Sequence, residues 1–143
     1  LLDHALVVGL AGIAGDRDVF DAGEVELHPD AEHRYTLFKR VIKPGVDHLF
    51  FAGLAQSSPT IVNLAEQQSK LIAKLVTGEY ALPDVEEQVA IMRADEKAHL
   101  GQYYAAPRHT IQIDFGRYCI DLMAEIAAGE QRAKNPSAAA ASR

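Results

Sequence analysis

The sequence has no tryptophan and one cysteine, Cys119, in 143 residues. A lone thiol excludes an internal disulfide, so a reducing, cytoplasmic setting is the expectation. No apolar run approaches the ~20 residues needed to span a bilayer. The run at residues 5–14 is broken by Gly9 and Gly12 and follows Asp3 and His4, without the basic start of a secretion signal. Positive charge is also scarce: 14 Lys and Arg against 20 Asp and Glu give a net charge of -6. That balance argues against nucleic acid and against an anionic membrane surface as partners. No G-x-G-x-x-G occurs. Gly9, Gly12 and Gly15 form G-x-x-G-x-x-G with no βαβ unit around them, and they read as small residues in a packed or irregular segment.

What remains is globular in composition. The chain is 48% hydrophobic, which separates it from disordered sequences and suffices for one domain of ordinary size. Residues 21–34 are acidic and polar, with a turn at Pro29-Asp30. His28 and His33 lie there with Glu24, Glu26 and Glu32 nearby. Their spacing does not suit a helical ligand pair, so they read as solvated loop residues and no metal site is assigned. Tyr35 to Ile42 alternates loosely, as a strand would, and Lys43-Pro44-Gly45 signals a turn.

Leu49-Phe50-Phe51-Ala52-Gly53 is a short continuous apolar run, suited to a strand buried on both faces and ended by glycine. After a loop at 54–58, Ser58 is a good N-cap and Pro59 suits the first helical position. Ile61, Leu64, Ala65, Gln68, Leu71, Ile72, Leu75 and Val76 then fall at helical spacing, with Gln68 the one polar residue in the stripe. The spacing predicts a helix over 59–77, stopped at Gly78. Asp84 and Glu87 have capping-box spacing, so a second helix should run to about Ala98. Pro107-Arg108-His109 breaks the pattern and reads as a structural loop. A third helix is expected from near Asp114, with Phe115, Tyr118, Leu122 and Ile126 facing inward. Cys119 within it reads as a buried structural thiol, since no activating partner is evident in sequence. The Ala/Ser/Pro tail is expected to be disordered.

One unit invites a ligand: strand, glycine exit, loop and helix N-terminus. Unpaired N–H groups and the helix dipole favour electron-rich atoms there, and in open α/β sheets ligands gather at the carboxyl ends of strands. Gly53 permits close backbone approach, and Gln56, Ser57, Ser58 and Thr60 supply polar side chains. No Ser–His–Asp set and no carboxylate pair is supported, so catalytic residues are not assigned.

Several strings are then read together. They are Leu37-Phe38-Lys39-Arg40-Val41, Pro44-Gly45, His48-Leu49-Phe50-Phe51-Ala52-Gly53-Leu54-Ala55-Gln56, Ala65-Glu66-Gln67-Gln68-Ser69, Gly78-Glu79-Tyr80-Ala81-Leu82-Pro83 and Pro107 to Phe115. In order and spacing they resemble the late part of bacterial-type flavin-containing monooxygenases, over about residues 35 to 130. The resemblance implies an α/β fragment, mostly helical: the C-terminal part of a FAD/NAD(P)-binding Rossmann-type fold with one or two short strands and about three helices. It implies FAD and NADPH as cofactors and transfer of one oxygen atom from O2 to a small organic substrate, with the bond-making left to the cofactor. By the same analogy Gly53, Leu54, Gln56, Ser57 and Thr60 occupy flavin-side positions. Gln56 reaches either the polar edge of the ring or the backbone of its own loop. Ser57 and Ser58 depart from the commoner proline-containing form of the loop.

The expected organisation is an unmatched segment 1–34, the monooxygenase-like part 35–130 and a tail 131–143. Both of the family's glycine fingerprints are missing from these residues, as is its Ala-Thr-Gly element. The expectation is therefore a truncated or partial chain, inactive alone and without tight cofactor binding. It would pair with the missing N-terminal part or self-associate, because strand 49–53 alone would show an exposed apolar edge. The alternative is a non-catalytic α-rich interaction module, or a remnant without activity.

Overall fold

The computed structural model describes residues 6–9, 21–22, 25–26, 37–57, 60–100 and 112–135. In chain order the elements are β1 (Leu6–Gly9), β2 (Asp21–Ala22), β3 (Val25–Glu26), β4 (Leu49–Ala52), β5 (Gln56–Ser57), α1 (Ile61–Val76), α2 (Val85–Leu100), β6 (Gln112–Ile113) and α3 (Phe115–Lys134). The three helices carry most of the regular structure, as expected. The strands exceed the expected one or two, because short pairings form wherever a loop passes another: β1 with β4 in parallel, β2 with β3 antiparallel, and β5 with β6 in parallel.

Strand β4 is buried along its whole length, as its unbroken apolar run predicts. Burial on both faces obliges its backbone groups to find partners. Leu6 to Gly9 supply one set, in register from Leu6 opposite Leu49 to Gly9 opposite Ala52. On the other side Ile42 bridges Phe50, and the Phe51 N–H donates to the Val41 carbonyl at 2.7 Å. The expected exposed edge is thus not found. The first of the three spaced glycines, Gly9, lies within β1, whereas Gly12 and Gly15 are outside the described residues.

Residues 37–42 are not the strand that their alternation suggests. Phe38 and Ile42 bridge each other across a tight turn closed by the Val41 N–H on the Phe38 carbonyl, 3.0 Å. Lys39 and Arg40 stand at φ 48° and 59°, in the left-handed region, within the three-residue loop that joins the bridged pair. Such turns usually advertise themselves with Asn-Gly, and Lys-Arg carries no such signal. The neighbouring turn is as expected, with the Val46 N–H on the Lys43 carbonyl at 3.2 Å.

Helix α1 starts at Ile61 with Thr60 as N-cap, later than a start at Ser58-Pro59, two residues outside those described. Leu64, Gln68, Leu71 and Ile72 form its buried face. Gly78, at φ 77°, stops it as read from sequence. Asp84 caps α2, its Oδ1 accepting from the Glu87 N–H at 2.8 Å. Asp114 caps α3 in the same way, accepting from the Arg117 N–H at 2.9 Å. On α3 the inward residues are Leu122, Glu125 and Gly129, with Phe115, Tyr118 and Ile126 half-buried. Helix α3 runs to Lys134, so the boundary at 131 falls inside it, and most of the tail lies outside the described residues. The main core joins Phe38, Ile42, Phe50, Leu71, Tyr80 and Leu122. No helix among the described residues is long and apolar enough to cross a membrane.

Candidate functional site

The loop from Gly53 to Thr60 leaves β4 and enters α1. Gly53 sits at φ +81°, and a Cβ there would stand 3.3 Å from Ile61 Cγ1. Both facts select glycine. Its N–H is not presented to solvent: it donates to Gln68 Oε1 at 2.6 Å in a buried bond. Leu54 is half-buried and packs on Leu37, Leu49 and Phe51. Ala55 is buried with Leu64 and Ile113. Gln56 is exposed, and Thr60 is exposed with no side-chain cap bond. Gln56 and Ser57 pair in register with Gln112 and Ile113.

The structure therefore sorts the five expected flavin-side residues. Gln56 and Thr60 are each exposed, Ser57 belongs to a strand pair, Leu54 leans into the core, and the Gly53 backbone is held from behind. Strand β6 pins this loop to the start of α3, and its two residues carry no periodicity from which a strand could be read. Arg108 and His109 lie outside the described residues, as do His28 and His33.

Behind the loop is a polar node. The Gln68 side-chain N–H donates to the Tyr118 hydroxyl at 3.0 Å and to the Arg40 carbonyl at 3.5 Å. Tyr118 in turn donates to the Lys39 carbonyl at 2.8 Å. The two carbonyls of the strained turn are thus both taken by side chains from α1 and α3. Sequence held one signal for this node, the polar Gln68 within an apolar stripe. Nothing marked Tyr118 as its partner. Lys39 continues outward to Asp95 at 3.1 Å. Burial pulls the Arg40 guanidinium below its ordinary pKa, against Tyr118, Asp95 and Glu96, which act the other way.

A second cluster lies where α3 crosses the chain after α1. The Tyr80 hydroxyl donates to Glu125 at 2.8 Å, Arg132 pairs with the same carboxylate, and Arg132 Nε donates to the Ala81 carbonyl at 2.9 Å. The guanidinium also stands over the Tyr80 ring, 5.7 Å from its centroid. These contacts fix the 79–83 segment across α3 and present no free group toward a ligand. An open cleft of 380 Å³ lies beside this segment, lined by Gly78, Glu79, Glu130, Ala133 and Lys134. It is at the opposite end of α1 from Gly53, and that 16-residue helix is about 24 Å long at 1.5 Å per residue. Cys119 is half-buried, not buried as expected, and burial still pushes its thiol up, away from nucleophilic use.

Burial, first among the causes, raises the phenol pKa of both Tyr80 and Tyr118; Glu125 reinforces it at Tyr80, and the Gln68 hydrogen bond opposes it at Tyr118. The linkage has a definite sign. Above the ordinary tyrosine value of about 10 the unfolded phenols lose protons that the folded ones keep, so stability present below that pH falls as pH rises through the folded values. In a spectrophotometric titration Tyr80 and Tyr118 should therefore resist ionisation until the chain unfolds. Five tyrosines titrating together on the folded chain would contradict the burial of this pair.

Among the described residues no group of three or more His, Cys, Asp or Glu is placed to hold a metal ion. No protein-family model matches the chain, and no curated protein matches it.

Proposed function

We propose that this chain supplies the closing strand, loop and helix of a Rossmann-type domain in a cytoplasmic FAD- and NADPH-dependent monooxygenase acting on a small organic substrate, and that it works with residues carrying the dinucleotide fingerprints. One observation supports this above the others: β1 and β4 run in parallel into a glycine exit at the N-terminus of α1, the place where open parallel sheets receive ligands. The resemblance over residues 35–130 points to the same unit.

The residues fit a flavin at its ring. An exposed Gln56 amide and a Thr60 hydroxyl free of capping duty suit the polar edge of a heterocycle. Among the described residues the Gly53 N–H is already engaged and does not serve a pyrophosphate. When bound, FAD would supply the oxygen chemistry, and these side chains would only orient and shield it. Saturation-transfer NMR with FAD tests the reading on the 143-residue chain. The expected result is weak binding, with a dissociation constant on the order of 1 mM, and transfer to the isoalloxazine protons but not to the adenine protons. Transfer to adenine alone, or none, would remove the proposal.

A second reading, an α-rich interaction module, is favoured by one observation. Ile120 and Met123 are 70% and 65% exposed one helical turn apart on α3.

A further inference from the structure

We infer that Gln68 is a positioning residue for the 53–57 loop: its side-chain carbonyl holds the Gly53 N–H inward, so the loop offers the exposed Gln56, and not the Gly53 amide, to a bound aromatic ring. The inference rests on the ring-wall reading above and names how that wall is set.

Gln68 is fully buried in the middle of the α1 apolar stripe, where leucine would satisfy the packing. A buried amide is tolerated only when its groups are bonded, and here both ends are. Its Oε1 takes the Gly53 N–H at 2.6 Å, and its Nε2 reaches Tyr118 and the Arg40 carbonyl. One side chain therefore ties together the exit of β4, the strained Lys39-Arg40 turn and α3. The left-handed pair in that turn is unfavourable by roughly 1–2 kcal/mol per residue, so the turn persists only where its surroundings over-determine it. Tyr118 on the Lys39 carbonyl and Gln68 on the Arg40 carbonyl do so. The same anchorage fixes the φ +81° of Gly53 and hence the direction in which residues 54–56 leave the strand. A glycine at a strand exit is ordinarily read as a donor to ligand. Here that donor is already used.

Amide hydrogen exchange by NMR on the folded chain tests this, with the core amide of Leu71 as internal reference. In Gln68→Met, Gly53 should exchange about tenfold faster than in the wild type after normalisation to Leu71, because the bond is lost while the volume is kept. In Tyr118→Phe its exchange should stay within about twofold, since the Gln68–Gly53 bond does not need the phenol. A purely structural Gln68 would speed Gly53 and Leu71 alike, and that result would overturn the inference. If Gln68→Met does not fold, FAD titration of the wild type decides. The amide of Gln56 should shift while that of Gly53 stays, and a Gly53 shift as large as that of Gln56 overturns the inference. If FAD moves no amide, the ring-wall reading has failed and the inference with it; normal Gly53 protection in that case shows that the fault lies in the ligand and not in the Gln68 bond.

Discussion

Replacing Gly129 with alanine should lower the unfolding free energy by about 3 kcal/mol, an overpacking penalty in a site with no room. The usual expectation has the opposite sign, since Gly to Ala inside a helix gains up to about 1 kcal/mol in propensity. The difference is Tyr80. A Cβ on Gly129 would sit inside the van der Waals radius of the Tyr80 ring, 2.8 Å from Cζ and nearer still to Cε2 and Cδ2. The ring has nowhere to go: its hydroxyl is bonded to Glu125, Arg132 covers it, and the Ala81 N–H beside it donates to the Gly129 carbonyl at 3.1 Å. Gly116 on the same helix is the control. It is exposed, and the nearest atom to a Cβ there is Asp114 Oδ1 at 3.5 Å, so Gly116→Ala should stabilise by about 0.5–1 kcal/mol. Urea denaturation of both variants gives the two signs directly. A Gly129→Ala midpoint at or above the wild type would show that Tyr80 does not pack on α3 as described.

The second large effect belongs to the ion pair beneath that ring. Glu125 is 8% exposed, and Arg132 is its cationic partner. Arg132→Met removes the charge but keeps the apolar stem, leaving a buried carboxylate with only the Tyr80 hydroxyl. An uncompensated buried charge costs about 3–5 kcal/mol. Glu125→Gln alone should cost less, about 1 kcal/mol, because the amide carbonyl still accepts from Tyr80 and Arg132 keeps the Ala81 carbonyl. The double variant should be more stable than Arg132→Met, with a coupling of about 2 kcal/mol in the cycle. Additive losses in the two single variants would mean that solvent screens the pair. The exposed pairs make a useful contrast. Lys74 with Glu130 at 2.6 Å holds the lysine pKa up and the glutamate pKa down through the same hydrogen bond, yet both side chains keep about a third of their surface in water and its removal should move the midpoint little.

Both effects concern residues that no local sequence pattern marks out. Tyr80 reads only as part of a Gly-Glu-Tyr-Ala-Leu-Pro string, and no local pattern singles out Glu125 or Gly129 on the third helix. Each became structurally important through a neighbour about 45 residues away. The expected loop residues fared differently. Their local character was legible, yet which of them faces solvent depended on Gln68 and β6.

Local physics settled what sequence alone determined here. The caps at Asp84 and Asp114, the stop at Gly78, the buried face of α1 and the buried run of β4 each follow from periodicity, capping chemistry or continuous apolarity over a few neighbouring residues. Tertiary structure decided the pairings. Leu6 to Gly9 lies beside β4 because a strand buried on both faces must find backbone partners, and no local pattern says which distant segment provides them. The Lys39-Arg40 turn adopts left-handed angles against its own propensity because Gln68 and Tyr118 capture its carbonyls. Gly53 illustrates both halves. Its sequence position marked a strand exit, while the direction of its N–H was set by a glutamine 15 residues away.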